Sequence, residues 1–128
     1  MMVKIMYFMI LVSNQDTALE FYTKLGFEKR VDYPGPEGRF LTISFKGQDV
    51  EIILWKGNPV QSVDNSNVSI SANPGILFIE SKDLKKDFGI LLSKGVQFVE
   101  REPEEYAFGV RVTALDPDGN RIALRQRK

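Results

Sequence analysis

The stretch Val12-Ser13-Asn14-Gln15-Asp16-Thr17-Ala18-Leu19-Glu20-Phe21-Tyr22-Thr23-Lys24-Leu25-Gly26-Phe27 encodes a strand end, a helix and a new strand in sixteen residues. Ser13, Asn14 and Asp16 supply a helix N-cap and an acidic first turn, which oppose the unsatisfied N–H groups there. Ala18, Leu19, Phe21, Tyr22 and Leu25 recur at helical spacing. Gly26 then stops the helix, because a glycine adopts the positive φ of a helix terminus at little cost. Upstream, Lys4–Val12 is rich in β-branched, aromatic and Met residues and reads as a strand. Its apolar run Ile5–Val12 is too short to span a membrane, and no small-residue cleavage site follows it. Downstream, Phe27–Tyr33 is a strand and Pro34–Gly38 a turn. Arg39–Lys46 and Val50–Trp55 are two strands around the hairpin signal Gly47-Gln48-Asp49.

The pattern then restarts. Lys56–Asn73 holds two Asn-Ser pairs with Gly, Pro and Ser, and reads as a linker, with an irregular strand suggested near Val68–Ile70. Gly75–Glu80 is a strand, and Ser81 can cap a helix. Leu84, Phe88, Leu91 and Leu92 form one helical face, and Gly95 stops it. Val96–Arg101 is a strand and Glu102–Glu105 a loop. Phe108–Leu115 and Arg121–Arg125 are strands joined by Asp116-Pro117-Asp118-Gly119, a type I turn signal with Pro second and Gly fourth. The element order is βαβββ, linker, βαβββ, a repeat carried by layout more than by letters. Module one covers about residues 3–55, the linker 56–73 and module two 74–126, within one domain spanning 1–128. Phe21, Tyr22, Phe27, Phe88 and Phe108 are expected in the core.

Composition narrows the chemistry. The 128 residues hold 17 Lys+Arg, 17 Asp+Glu, no Cys and no His. Disulfides, thiolate nucleophiles, Cys-based zinc sites, imidazole bases and His-ligated metals are therefore excluded. Acid–base work falls to Asp, Glu, Lys or Tyr. Zero net charge offers no global attraction for nucleic acid. The expected setting is the cytoplasm, with neither membrane nor nucleic acid as partner.

The Val12–Phe27 stretch resembles the opening of the vicinal oxygen chelate superfamily, which includes glyoxalase I, extradiol dioxygenases, and the bleomycin and fosfomycin resistance proteins. Asp116-Pro117-Asp118-Gly119-Asn120-Arg121-Ile122-Ala123-Leu124-Arg125-Gln126 resembles its usual close. The resemblance implies an α+β fold of two βαβββ modules, whose curled mixed sheets surround a cleft with the helices outside. It also implies a homodimer.

Metal-dependent members of that superfamily hold a divalent ion in the cleft. By the resemblance, their four ligand positions fall on Tyr7, Glu51, Pro74 or Ile76 (two registers remain open), and Ala123. Of these, Glu51 alone suits the ions concerned. A shifted site from Asp49 and Glu51 is a second possibility, with solvated turn residues as the plainer reading. No metal and no cofactor is expected.

Strand alternation assigns faces. Val50, Ile52 and Leu54 face the helix, leaving Asp49, Glu51, Ile53 and Trp55 opposite. Ile122 and Leu124 face the helix, leaving Arg121, Ala123 and Arg125. Phe108, Val110, Val112 and Ala114 form the apolar set of their strand, leaving Arg111 and Thr113 toward the cleft. The parity of Tyr7 takes Met9 and Leu11 inward. The expected ligand-binding set is thus Tyr7, Met9, Ile53, Trp55, Arg111, Thr113, Arg121, Ala123 and Arg125, with Glu51 as the candidate catalytic residue. This mixture suits a small, partly aromatic ligand carrying an acidic group.

Plainer roles stand beside these. Glu51 could pair with Arg111 or Arg121, Tyr7 could be a structural Tyr, and Trp55 suits an interface as well as a ligand. Three functions follow: a metal-independent small-molecule binder with its ligand in a dimer cleft; a glyoxalase-related lyase or isomerase using Glu51 as general base, with Tyr7 or an Arg stabilising negative charge; or an accessory protein with a vestigial cleft.

Overall fold

The computed structural model describes residues 1–57 and 77–128. They fall in two compact units, one within Met1–Gln61 and one within Ser62–Lys128. The chain is α+β: two mixed sheets, each with one ten-residue helix.

Unit one runs β1 (Tyr7–Val12), α1 (Gln15–Lys24), β2 (Glu28–Gly35), β3 (Gly38–Ser44) and β4 (Glu51–Lys56). Its sheet order is β1-β4-β3-β2. β1 lies parallel to β4, whereas β2–β3 and β3–β4 are antiparallel. Asn14 caps α1, its side chain accepting from the Thr17 N–H at 2.9 Å. Gly26, at φ 107°, ends it. Ala18, Phe21 and Tyr22 on α1 are buried together with Ile10, Val12, Leu41, Ile43, Ile52 and Leu54. Each such aromatic contributes about 1.5–3 kcal/mol by burial. Tyr22 meets Phe21 and Phe27 edge-on, and Phe27 stacks on Phe45 at 3.9 Å. The buried Gln15 amide donates to the Arg39 and Leu54 carbonyls, both at 2.8 Å, which ties the start of α1 to β3 and β4.

Unit two runs β5 (Leu77–Glu80), α2 (Leu84–Ser93), β6 (Gln97–Phe98), β7 (Glu104–Tyr106), β8 (Gly109–Leu115) and β9 (Arg121–Arg127). The order is β5-β9-β8-β6, with β7 also on β8. Again the first strand is parallel to the last. Asp83 caps α2 by accepting from the Lys86 N–H, and Gly95 at φ 86° follows it. Leu84, Leu91, Val96, Val112, Ala114, Ile122 and Leu124 are buried. At the β8–β9 turn the Asp116 carboxylate accepts from the Asp118 and Asn120 N–H groups and from the Asn120 side chain. Gly119, at φ 83°, donates to the Asp116 carbonyl.

Several expected boundaries shift. The first strand starts at Tyr7 rather than Lys4, because β4, its partner, starts at Glu51; the Glu51 N–H takes the Met6 carbonyl and closes that end. Val96–Arg101 contracts to Gln97–Phe98 because the Glu100 carboxylate, not a backbone carbonyl, accepts from the Thr113 N–H. The expected loop 102–105 yields part of β7, so the strand that β2 forms in one piece is split here into β6 and β7. Phe108 is 73% exposed instead of core. It sits between Tyr106 and Gly109, which face each other across β7–β8, so it is a turn residue with no sheet face to bury. Most of the expected linker, including Val68–Ile70, lies outside the described residues.

Candidate functional site

Each sheet has one face against its helix and one open face, described separately for the two units. In unit one the register sets Tyr7 beside Glu51, Met9 beside Ile53 and Leu11 beside Trp55. Thr42 of β3 stands opposite Ile53 of β4 and Val31 of β2, and Phe40 stands opposite Tyr33. By alternation all these residues share the open face. Ile53, Thr42 and Ser44 are buried and form its floor. Tyr7 (40% exposed) and Met9 (55%) stand open to solvent. The Tyr7 ring meets Phe40 edge-on at 5.9 Å. The half-buried Trp55 lies over Gly38, where a Cβ would come within 3.3 Å of its indole.

Glu51 is half-buried at the edge of this floor. The Thr42 hydroxyl donates to Glu51 Oε1 at 2.5 Å, and the Val31 N–H donates to the Thr42 hydroxyl oxygen at 3.1 Å. The chain has one polarity. An N–H can only donate, so the hydroxyl proton is left to point at the carboxylate. Within unit one the polar partner of Glu51 is Thr42. Thr42 and Phe40 escaped the sequence reading because the pairing that brings them to Glu51 and Tyr7 is non-local.

On the opposite face Arg39 grips Asp32 through two parallel hydrogen bonds of 2.8 and 2.9 Å and reaches Asp16 on α1 at 2.7 Å. The guanidinium holds the Asp32 carboxyl down at about 2, with a smaller contribution from Lys29, against a weaker upward push from burial. The two carboxylates in turn raise Arg39.

In unit two Arg111 stands opposite Arg125, Thr113 opposite Ala123, and Leu115 opposite Arg121. β5 places Phe78 beside Ala123 and Glu80 beside Arg125. Arg111, Thr113, Arg121, Ala123 and Arg125 therefore share one face, with Phe78 and Glu80 added. Ala123 is wholly buried, while the three arginines and Thr113 are half-buried. The Arg125 guanidinium lies 5.1 Å from the centre of the Phe78 ring, and Arg111 lies 4.7 Å from that of Tyr106. Arg127 takes both oxygens of Glu80, at 2.6 and 2.8 Å, and lowers the Glu80 pKa.

The chain's family follows from comparison. Residues 4–124 match the Glyoxalase/Bleomycin resistance protein/Dioxygenase superfamily. The chain belongs to this superfamily. A curated relative, the "Uncharacterized protein YurT" of Bacillus subtilis (strain 168), is 34% identical, with 97% of this chain and 99% of that protein covered. Among solved structures, TnmS3, an antibiotic binding protein from Streptomyces sp. CB03234, is 28% identical with a TM-score of 0.77, covering 99% of this chain and 98% of that one. A member of the same superfamily from Sphaerobacter thermophilus DSM 20745 is 28% identical with a TM-score of 0.75, covering 98% of each chain.

The superfamily's metal chemistry can be tested on the residues present. Tyr7 and Glu51 face each other across β1–β4 with their side chains on one face, so two of the four implied positions are side by side. Tyr7 offers a neutral phenol, a weak ligand, and Ala123 offers no donor atom. Pro74 and Ile76, outside the described residues, have no side-chain donor either. Among the described residues no three of His, Cys, Asp or Glu cluster in a way that could hold an ion, Asp49 with Glu51 included. Of the positions that the resemblance implies, Glu51 alone carries a carboxylate or imidazole donor. Among the described residues no helix is long and apolar enough to cross a membrane.

Proposed function

We propose that this superfamily member is a metal-independent small-molecule-binding protein, with its ligand held in the cleft of a homodimer. The observation that carries the reading is the open face of unit one. It exposes Tyr7 and Met9 and half-exposes Trp55, around a floor with a single carboxylate. Exposed aromatic and thioether groups over a closed floor suit a flat apolar ligand better than a cation. The antibiotic-binding character of the TnmS3 protein supports the same reading. In this reading Met9, Ile53 and Trp55 contact the ligand body and Tyr7 donates a hydrogen bond, while Arg111, Thr113, Arg121, Ala123 and Arg125 are the ligand-binding residues of unit two.

The test has two stages. After chelation, calorimetric titration with Ni²⁺, Zn²⁺, Mn²⁺ and Fe²⁺ should give no stoichiometric heat. The metal-free protein should then show a raised melting temperature with members of a panel of small aromatic compounds; a ligand at a hundred times its Kd stabilises by about 2.7 kcal/mol. Tight binding of one metal per chain would overturn the reading.

A second reading makes the protein a glyoxalase-related lyase or isomerase with Glu51 as general base. It is favoured by the Val31–Thr42–Glu51 hydrogen-bond chain, which fixes one carboxylate oxygen and leaves Oε2 without a partner among the described residues. Here a Glu51→Gln variant would keep ligand affinity and lose turnover of the bound compound. Absence of any turnover in the wild type across the binding compounds rejects this version.

A further inference from the structure

The open face of unit two presents an electrostatic problem. Arg111 and Arg125 stand directly opposite each other in the antiparallel β8–β9 register. Like charges in that position repel and destabilise a sheet. Arg121 adds a third positive charge on the same face, on the far side of Ala123 from Arg125. All three side chains are half-buried, which makes an unpaired charge costlier than at a free surface.

The register supplies two carboxylates that could relieve this, and neither does. Glu80 stands beside Arg125, yet both of its oxygens are taken by Arg127. Glu104 stands opposite Arg111, yet the Arg111 guanidinium lies over the Tyr106 ring instead. A third acid, Glu100, uses both oxygens on the Thr113 N–H. Arg125 spends one N–H on the Leu124 carbonyl at 3.0 Å and otherwise lies over Phe78. Among the described residues no carboxylate lies within ion-pair distance of Arg111, Arg121 or Arg125. Tyr106 of β7 and Phe78 of β5 engage the Arg111 and Arg125 guanidinium groups without neutralising them. Ala123 leaves the floor between Arg121 and Arg125 low.

We propose that this face of β8 and β9 binds an oxyanion, a carboxylate or phosphate on a planar aromatic ligand, with Arg111 and Arg125 as its principal partners and Arg121 as a third. Arg111 and Arg125 stand opposite each other in the register, so an anion seated over β8 and β9 can be met by a forked guanidinium from each strand, the geometry that carboxylates and phosphates accept best. The rings of Phe78 and Tyr106 provide apolar surface beside the charge for the planar part of the ligand. Zero net charge on the chain argues for a small anion over a nucleic acid, whose binding draws on many phosphate contacts. The inference rests on the small-molecule-binding reading and names its ligand class.

The experiment compares 2-naphthoate, 2-naphthyl phosphate and the neutral 2-naphthamide against the full chain. Binding is read by calorimetry and by amide shifts in β8 and β9. Either anion should bind roughly tenfold or more tightly than the amide, with affinity falling as salt rises. Which anion binds better distinguishes carboxylate from phosphate. Arg125→Gln and Arg111→Gln should each reduce anion affinity toward that of the amide. Arg125→Lys, which keeps charge but loses the fork, should fall between. A thermal melt of each variant shows that the fold persists. Equal affinity for anion and amide, or anion binding that ignores both substitutions, overturns the proposal while the small-molecule reading stands. Failure of all three probes overturns it as well, and the broader compound panel then decides the small-molecule reading separately.

Discussion

The two units share a skeleton and differ on the face that their helices leave open. Each joins its first strand in parallel to its last, caps its helix with an Asx side chain, and ends it with a glycine at positive φ. Each buries an aliphatic layer beneath that helix. On the open side, unit one carries Tyr7, Met9, Phe40 and Trp55 around one carboxylate, whereas unit two carries Arg111, Arg121 and Arg125 around an alanine, with a fourth arginine, Arg127, paired to Glu80. The helix-facing layer must satisfy packing and so keeps its character. The open face has no such duty within the unit, so its composition reports on what the protein meets in solution.

Substitution can break the likeness of the skeletons at its weakest shared point. Gly38 opens β3 at φ 138°, and Gly109 opens β8 at φ 141°. An alanine at either pays a backbone penalty of about 1–3 kcal/mol. At Gly38 the new Cβ meets only the edge of the Trp55 ring, a side chain that can shift. At Gly109 it overlaps the Gln126 carbonyl oxygen in the neighbouring strand. Gly109→Ala should therefore cost more than about 3 kcal/mol, or fail to fold, and Gly38→Ala should stay within the backbone penalty. Denaturant midpoints of the two variants check this. Equal losses would show that the backbone penalty alone decides.

The open faces can be sharpened next. Thr42→Val in unit one removes a fully buried hydroxyl and strands the Val31 N–H and Glu51 Oε1 together. The expected loss is about 1–3 kcal/mol, and Thr42→Ser should recover most of it. If Thr42→Val is neutral in a urea melt, the hydrogen-bond chain does not hold the floor.

The smallest effect separates the two forked arginine–carboxylate pairs. Asp32–Arg39 is partly shielded, with side-chain exposures of 31% and 29%, while Glu80–Arg127 stands at 52% and 78%. Solvent screening should make Asp32→Asn lower the melting temperature more than Glu80→Gln at neutral pH. The folded-state pKa of Asp32 is depressed, so its contribution is complete above the ordinary value of 3.8 and disappears as pH falls through about 2. The gap in melting temperature between wild type and Asp32→Asn should be constant at neutral pH and close over that acid window. A gap that stays open at pH 2 would assign the effect to shape, not charge.

Local chemistry made much of this legible from sequence. The cap of α1, the two glycine stops and the Asp116–Gly119 turn rest on neighbouring residues and were expected where they occur, whereas α2 is capped by Asp83 rather than the expected Ser81, whose hydroxyl accepts from the Asp83 N–H. Alternation in β4 and β9 was equally local, so Glu51, Ile53 and Trp55 share one face of their strand, and Arg121, Ala123 and Arg125 one face of theirs. Partners were not legible. That Thr42 meets Glu51, that Phe78 underlies Arg125, and that Arg111 opposes Arg125 all depend on register between strands distant in sequence. Phe108 misled because its apolar side chain belongs to a two-residue turn, where composition says nothing about burial.

The parallel pairing of first strand with last sets an order of events during synthesis. β1 leaves the ribosome early but has no sheet partner until β4 follows, after two further strands and a helix. Unit one can close as soon as Lys56 emerges, while unit two is still being translated. In unit two β5 waits in the same way for β9, so its sheet forms in a late, cooperative step that sequence-distant contacts make slow. Until β9 emerges, Phe78 and Ile79 have no strand to pair with, so that nascent interval is the one in which apolar strand edge is exposed.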